Sequence, residues 1–182
     1  NIKVNDVIIE NSNFNLDKKN YNFFIKLLDN NFLDNTFLIY DSNIFYRNID
    51  DEVLFINKIK KMKYYYDSNN FINVIPSKNE LFNIPYSYEL FRDKKKQKIF
   101  SKINLDFLKL VAENEFEYSS NIKKGSINFT FNKKKSKATY EFNDDYFVFK
   151  VFEKLINPSF LYEGKINLNP FHSNLKGKSN KI

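Results

Sequence analysis

The side chains best suited to chemistry are few and scattered. His172 is the only histidine among 182 residues, and there is no cysteine. A metal cage or a nucleophile–histidine pair therefore has no visible set of donors. With three glycines in all, the chain has no glycine-rich phosphate loop. Carboxylates gather at Asp50–Glu52 and Asp144–Asp145, and lysines at Lys94–Lys96 and Lys133–Lys135. Such clusters could serve acid–base or metal chemistry and phosphate contacts respectively. All of them fall where turns are expected, however, and solvated charge belongs in turns. Tyr64–Tyr66 could stack nucleic-acid bases, but cross-strand packing is the commoner use of such rings. No catalytic machinery is visible, so the expectation is no enzyme, no metal and no cofactor. A binding or structural role remains.

The elements that carry these residues are mostly strands. From Glu80 to Tyr118, Phe82, Ile84, Tyr86, Tyr88 and Leu90 alternate with Asn83, Pro85, Ser87 and Glu89. A basic turn follows at Arg92 to Lys98. Alternation then resumes, with Leu108, Leu110, Ala112, Phe116 and Tyr118 on one side. Lys109, Glu113, Glu115 and Glu117 fall on the other, joined by Phe107 and Val111. Successive side chains of a strand point to opposite faces, so this stretch predicts antiparallel strands with one apolar and one wet face.

The rest of the chain repeats the pattern. Residues 2–16 predict one or two strands. Asp17 opens a three- and four-residue spacing of Tyr21, Phe24, Ile25 and Leu28, which predicts one helix over 18–30 with Asp17 as its N-cap. Strands are expected at Thr36–Tyr40, Asn43–Arg47, Val53–Ile59 and Met62–Asp67, with Met62, Tyr64 and Tyr66 on one face. Turns are expected at Asn48–Glu52 and Asp67–Asn70, and a loop at Pro76–Asn79. Further on, Ile127, Phe129 and Phe131 alternate with polar residues, as do Ala138, Tyr140 and Phe142. Lys133–Lys137 and Asn143–Asp145 read as turns. Tyr146–Phe152 is apolar on both faces. Phe160, Tyr162, Gly164, Ile166, Leu168 and Pro170 alternate with Glu163, Lys165, Asn167 and Asn169.

Composition sets the outer limits. A chain with 42% hydrophobic residues is not disordered by composition, and 21 Phe and 12 Tyr give it an aromatic surplus. The formal charge of +7 permits anionic partners. Part of the Lys and Asn surplus is read as AT-rich coding. No run approaches the length of a membrane span. The start at Asn1 and the polar end suggest a piece of a longer protein.

The fold expected is mainly β: a long antiparallel meander forming a twisted, groove-like sheet with one short helix near the N-terminus. Residues 1–171 are expected to make a single segment, and 172–182 a polar tail. One helix is too little cover for so many strands. The candidate functional surface is therefore the apolar face itself, comprising Phe82, Ile84, Tyr86, Tyr88, Leu90, Leu108, Leu110, Phe116, Ile127, Phe129, Phe131, Tyr140, Phe142, Ile166 and Leu168. Two other readings compete: a self-contained β-sandwich acting in structure or adhesion, and a basic nucleic-acid-binding sheet. The latter needs Lys and Tyr on one exposed face, whereas here Lys concentrates in turns, so no nucleic acid is expected.

Several segments together resemble the AsmA-like group, the large envelope proteins that include the TamB and YhdP types. These segments are IKVNDVIIENSNFNL, SNIFYRNIDDEVLFINKIKKMKYYYD with NELFNIPYSYEL, and FLYEGKINLNPF. In the last, Gly164, Ile166, Leu168, Pro170 and Phe171 fit that group's closing step. The likeness spans most of residues 1–171 and is poorest over 17–35. It implies a β-groove in the periplasm of the cell envelope, tethered to the inner membrane through a segment not in this chain. The implied role is lipid transport in outer-membrane biogenesis. The implied partners are phospholipid or another membrane lipid and other envelope proteins, and the residues above would face lipid.

Overall fold

Runs in which Phe, Tyr, Ile and Val alternate with Lys, Asn, Glu and Ser favour pleated strands, because such side chains cover one face and wet the other. The computed structural model describes residues 6–17, 20, 36–48, 50–93, 95–118, 121–153, 160–168 and 170–179. It shows a mainly β protein with open, twisted, largely antiparallel sheet. The chain divides into two units, Asn1–Lys94 and Lys95–Ile182.

The first unit holds β1 (Asp6–Glu10), β2 (Asn13–Leu16), β3 (Thr36–Arg47), β4 (Val53–Asp67), β5 (Ile72–Leu81) and β6 (Ile84–Asp93). β3 to β6 are antiparallel neighbours in chain order. β1 and β2 run parallel to β3, at the edge of the antiparallel meander expected. Parallel neighbours need a long crossover, and the residues between Leu16 and Thr36 supply that length. The helix expected over 18–30 lies outside the described residues. At its expected start, the Asn20 N–H donates to the Asp17 carboxylate at 2.8 Å and the Asp17 N–H donates to Asn20 Oδ1 at 3.0 Å. That reciprocal exchange has the form of a capping box.

Four short strands expected between Thr36 and Asp67 are two long ones, each with a kink. In β3 the inward residues are Phe37 and Ile39, then Ser42 and Ile44, and Asp41 between them has φ 45°. In β4 they are Phe55, Asn57 and Ile59, then Met62 and Tyr64. Along the edge, Val7 and Ile9 of β1 give way to Phe14 and Leu16 of β2, across Asn11 with φ 52°. The alternation thus changes phase at one level in all three positions. The shift ends at a bulge between Ile59 and Lys61, against which β5 keeps an unbroken alternation.

β5 also replaces the loop expected over Pro76–Asn79. Its pairing with β6 is continuous, whereas its pairing with β4 lapses between Met62–Ser77 and Tyr65–Val74. Pro76 sits in that lapse, where its missing N–H costs little. β5 and β6 join through Phe82 and Asn83, both at positive φ (51° and 62°), the form of a two-residue type I′ turn.

The second unit holds β7 (Lys98–Leu105), β8 (Leu110–Glu117), β9 (Lys123–Phe131), β10 (Lys134–Phe142), β11 (Tyr146–Glu153), β12 (Phe160–Leu168) and β13 (Phe171–Ser179). Each is antiparallel to the next. β7 was not expected. The basic turn is shorter than Arg92–Lys98, because Arg92 and Asp93 are buried at the end of β6 and Lys98 begins β7. The stretch Asp106–Leu108, expected as strand, is a 3₁₀ turn closed by Lys109 at φ 49°. Asn132 and Lys133 form a second turn with both φ positive, so Lys134 and Lys135 belong to β10. Residues 172–179 are not a free tail but lie in β13, paired along β12. An edge strand needs only backbone bonds to join a sheet, so a polar sequence can supply one.

Few apolar side chains are sealed off. Ile39, Ile59, Tyr64, Val74 and Ala138 are the buried ones among the described residues. The cause is geometric: within each unit, substantial contacts between described strands join hydrogen-bonded neighbours, and no described strand is laid across another's face.

Candidate functional site

Residues opposite one another in a ladder share a face, so the register traces one side of the second unit strand by strand. Ile99, Ile103 and Leu105 oppose Phe116, Ala112 and Leu110. Leu110, Ala112 and Asn114 oppose Phe131, Phe129 and Ile127. The line continues through Ala138, Tyr140 and Phe142 to Val151, Phe149 and Phe147. It then passes to Tyr162, Gly164 and Ile166, and ends on Leu175 and, beside Leu168, Phe171. Phe131, Tyr162, Leu168, Phe171 and Leu175 on this side are exposed, Leu175 to 67%.

Aromatic rings pack against one another along this side, both between strands and within one. Phe116 stacks on Phe142 with centroids 5.6 Å apart, Tyr140 on Phe147 at 5.9 Å, and Phe147 lies 5.8 Å from Phe149. Such pairs are worth about 0.5–1.5 kcal/mol each beyond area burial. Two glycines make room for rings. A Cβ on Gly125 would strike the Tyr140 ring, and one on Gly164 would come 2.7 Å from the Phe149 ring. Leaning over Gly125, Tyr140 reaches β8 and donates its hydroxyl to Asn114 Oδ1 at 2.8 Å. Burial pushes the Tyr140 phenol above its ordinary pKa.

The opposite side is wet. Lys98 pairs with Glu115, Lys102 with Glu113 at 2.9 Å, and Lys150 with Glu163 at 3.8 Å. Tyr146–Phe152, expected to be apolar on both faces, is interrupted here by exposed Lys150, with Val148 half-buried and Phe152 exposed.

Nine of the expected lipid-facing residues therefore share one side of the second unit: Leu110, Phe116, Ile127, Phe129, Phe131, Tyr140, Phe142, Ile166 and Leu168. Leu108 does not, since it lies exposed in the 3₁₀ turn. In the first unit Ile84, Tyr86, Tyr88 and Leu90 share a side of β6, whereas Phe82 is 74% exposed in the turn before it. The sequence reading missed Ile99, Ile103 and Leu105, because β7 hides behind a lysine run. It missed Leu175, because one apolar residue among polar ones looks like a tail.

In the first unit, the side that carries Ile39 and Ile59 is mixed. Ser42, Asn57, Asn73, Ser77 and Asn79 are buried on it. Tyr86 donates to Asn57 Oδ1 at 2.8 Å, and the Asn79 amide to Ser77 Oγ at 2.7 Å. Burial pushes the Tyr86 phenol up to about 12. Asparagines that alternate with apolar residues look like turn or coding bias in sequence, which is why this polar stripe went unread.

Most of the charged clusters stay apart from these sides, but Lys134 stands opposite Phe131, and Lys123 opposite Phe142, on the apolar one. Asn48 Oδ1 accepts the Glu52 N–H at 2.8 Å, holding Asp50–Glu52 in an exposed turn. Asp144 and Asp145 are exposed in the β10–β11 turn, and Lys95 and Lys96 in the turn before β7. Tyr64 packs against Phe37 across strands, while Tyr65 on the other side lies under Lys63 at 4.6 Å. His172 lies opposite Asn167 on the wet side. Among the described residues, no helix is long and apolar enough to cross a membrane.

The second unit is an open amphipathic sheet, mostly apolar on one face and charged on the other. Comparison of the chain with protein-family models, curated proteins and solved structures finds no significant match.

Proposed function

We propose that the apolar side of the second unit holds the acyl chains of phospholipid or a related membrane lipid. On this reading the chain is a lipid-transfer segment of an AsmA-like envelope protein. The observation that supports it is a mostly apolar side running from β7 to β13 with no described strand of its own unit laid over it. Seven strands at ordinary spacing measure about 29 Å across, room for an extended tail. Each methylene leaving water contributes about 0.8 kcal/mol. Exposed apolar area on this scale marks a binding surface or an aggregation hazard. The headgroup would remain at a wet rim. No bond is made or broken, so the work is done by packing alone.

The AsmA-like membership, the periplasmic setting and the membrane tether rest on the likeness in strand order. The sandwich reading needs a second layer, and no described strand supplies one within its own unit. The nucleic-acid reading is disfavoured by the glutamates that answer Lys98, Lys102 and Lys150.

The test is lipid extraction from the purified chain followed by mass spectrometry. Phospholipid should copurify, and Phe129→Asp with Phe149→Asp should reduce it at least ten-fold. A chain that carries no phospholipid and leaves a photoactivatable lipid probe unreacted ends the proposal.

A further inference from the structure

The charged side of the second unit is uneven along the sheet. On β7 and β8 it carries Lys98 and Lys102 against Glu113, Glu115 and Glu117. On β10 to β13 the balance reverses: Lys135, Lys137, Lys150, Lys165 and Lys176 face two glutamates, Glu141 and Glu163. All five lysines are exposed. Lys150, Lys165 and Lys176 meet around a shallow recess that Glu163, His172 and Asn174 also line. Lys165 lies over the Tyr146 ring at 5.1 Å, and exposed Phe152 shares this side.

We infer that the charged side of β10–β13 is a contact surface for an anionic bilayer. The lysines are spread over four adjacent strands, about 14 Å at ordinary spacing. A plane of anionic headgroups matches a two-dimensional spread, whereas a nucleic-acid backbone asks for a single track. Lysine stems lie along apolar surface while their ammonium groups reach the headgroups, which accommodates Phe152 and Tyr146 among them. The negative potential of an anionic leaflet supplies the attraction, at a strength equivalent to about five-fold in affinity per lysine. This surface lies on the other side of the sheet from the proposed acyl side, and its test stands apart from that reading.

The experiment is vesicle sedimentation of the full chain. One vesicle set is phosphatidylcholine alone and the other includes phosphatidylglycerol, each at low and high salt. Binding to the anionic vesicles at low salt, its loss at high salt and weak binding to phosphatidylcholine are expected. A variant combining Lys150→Gln, Lys165→Gln and Lys176→Gln should bind about 100-fold less tightly. Lys98→Gln with Lys102→Gln should change little. Circular dichroism of each variant confirms the sheet. Equal binding to both vesicle types, an unaffected triple variant or tighter binding to an oligonucleotide would overturn the inference.

Discussion

At the scale of single residues, the molecule depends on small side chains beside large ones. Gly125 and Gly164 lie under Tyr140 and Phe149. Gly125→Val or Gly164→Val must push a ring out of its contacts, and overpacking of this kind costs about 1–3 kcal/mol. The urea midpoint should fall for each, and Gly125→Val should also break the Tyr140–Asn114 bond. Tyr86 offers a separate readout through pH. Burial raises its folded pKa to about 12 from an ordinary value of 10.0. A folded pKa above the unfolded one gives stability that is complete below the unfolded value and lost as pH rises toward the folded one. The chain should therefore weaken between about pH 10 and 12, and Tyr86→Phe should flatten that part of the urea-midpoint profile.

At the scale of elements, two hairpin turns each carry one residue poorly suited to positive φ, Phe82 and Lys133. Asn132 and Lys133 both adopt positive φ, at 46° and 68°. Lys133→Gly should relieve the second position and raise stability by about 1 kcal/mol, seen as a higher thermal midpoint. The same mismatch limited what could be read from the sequence. Phe82-Asn83 carries no glycine signal, so Phe82 looked like a strand residue. Asp106–Leu108 continued an alternation that only the αL Lys109 breaks. By contrast the β8 to β10 strands and the apolar side of β12 were legible, since strict two-residue alternation leaves one solution. Where the alternation slipped at Asp41 and Lys60, the slip was legible but its meaning was not. A phase change and a strand end leave the same trace in a sequence.

At the scale of the whole molecule, exposed apolar surface has a cost when nothing covers it. The purified chain stripped of amphiphile should self-associate, and adding mild detergent should return it to monomer in light scattering behind size exclusion. Phe129→Asp should reduce that association, and Val148→Asp on the wet side should not. In the first unit, Asn11, Asp41 and Lys60 stand side by side on the edge, β3 and β4. Losing one of them alone would turn half a strand inside out, so an indel there is tolerable only with matching indels in its neighbours. Descendants of this chain should thus inherit the three positions as a set, gained or lost together.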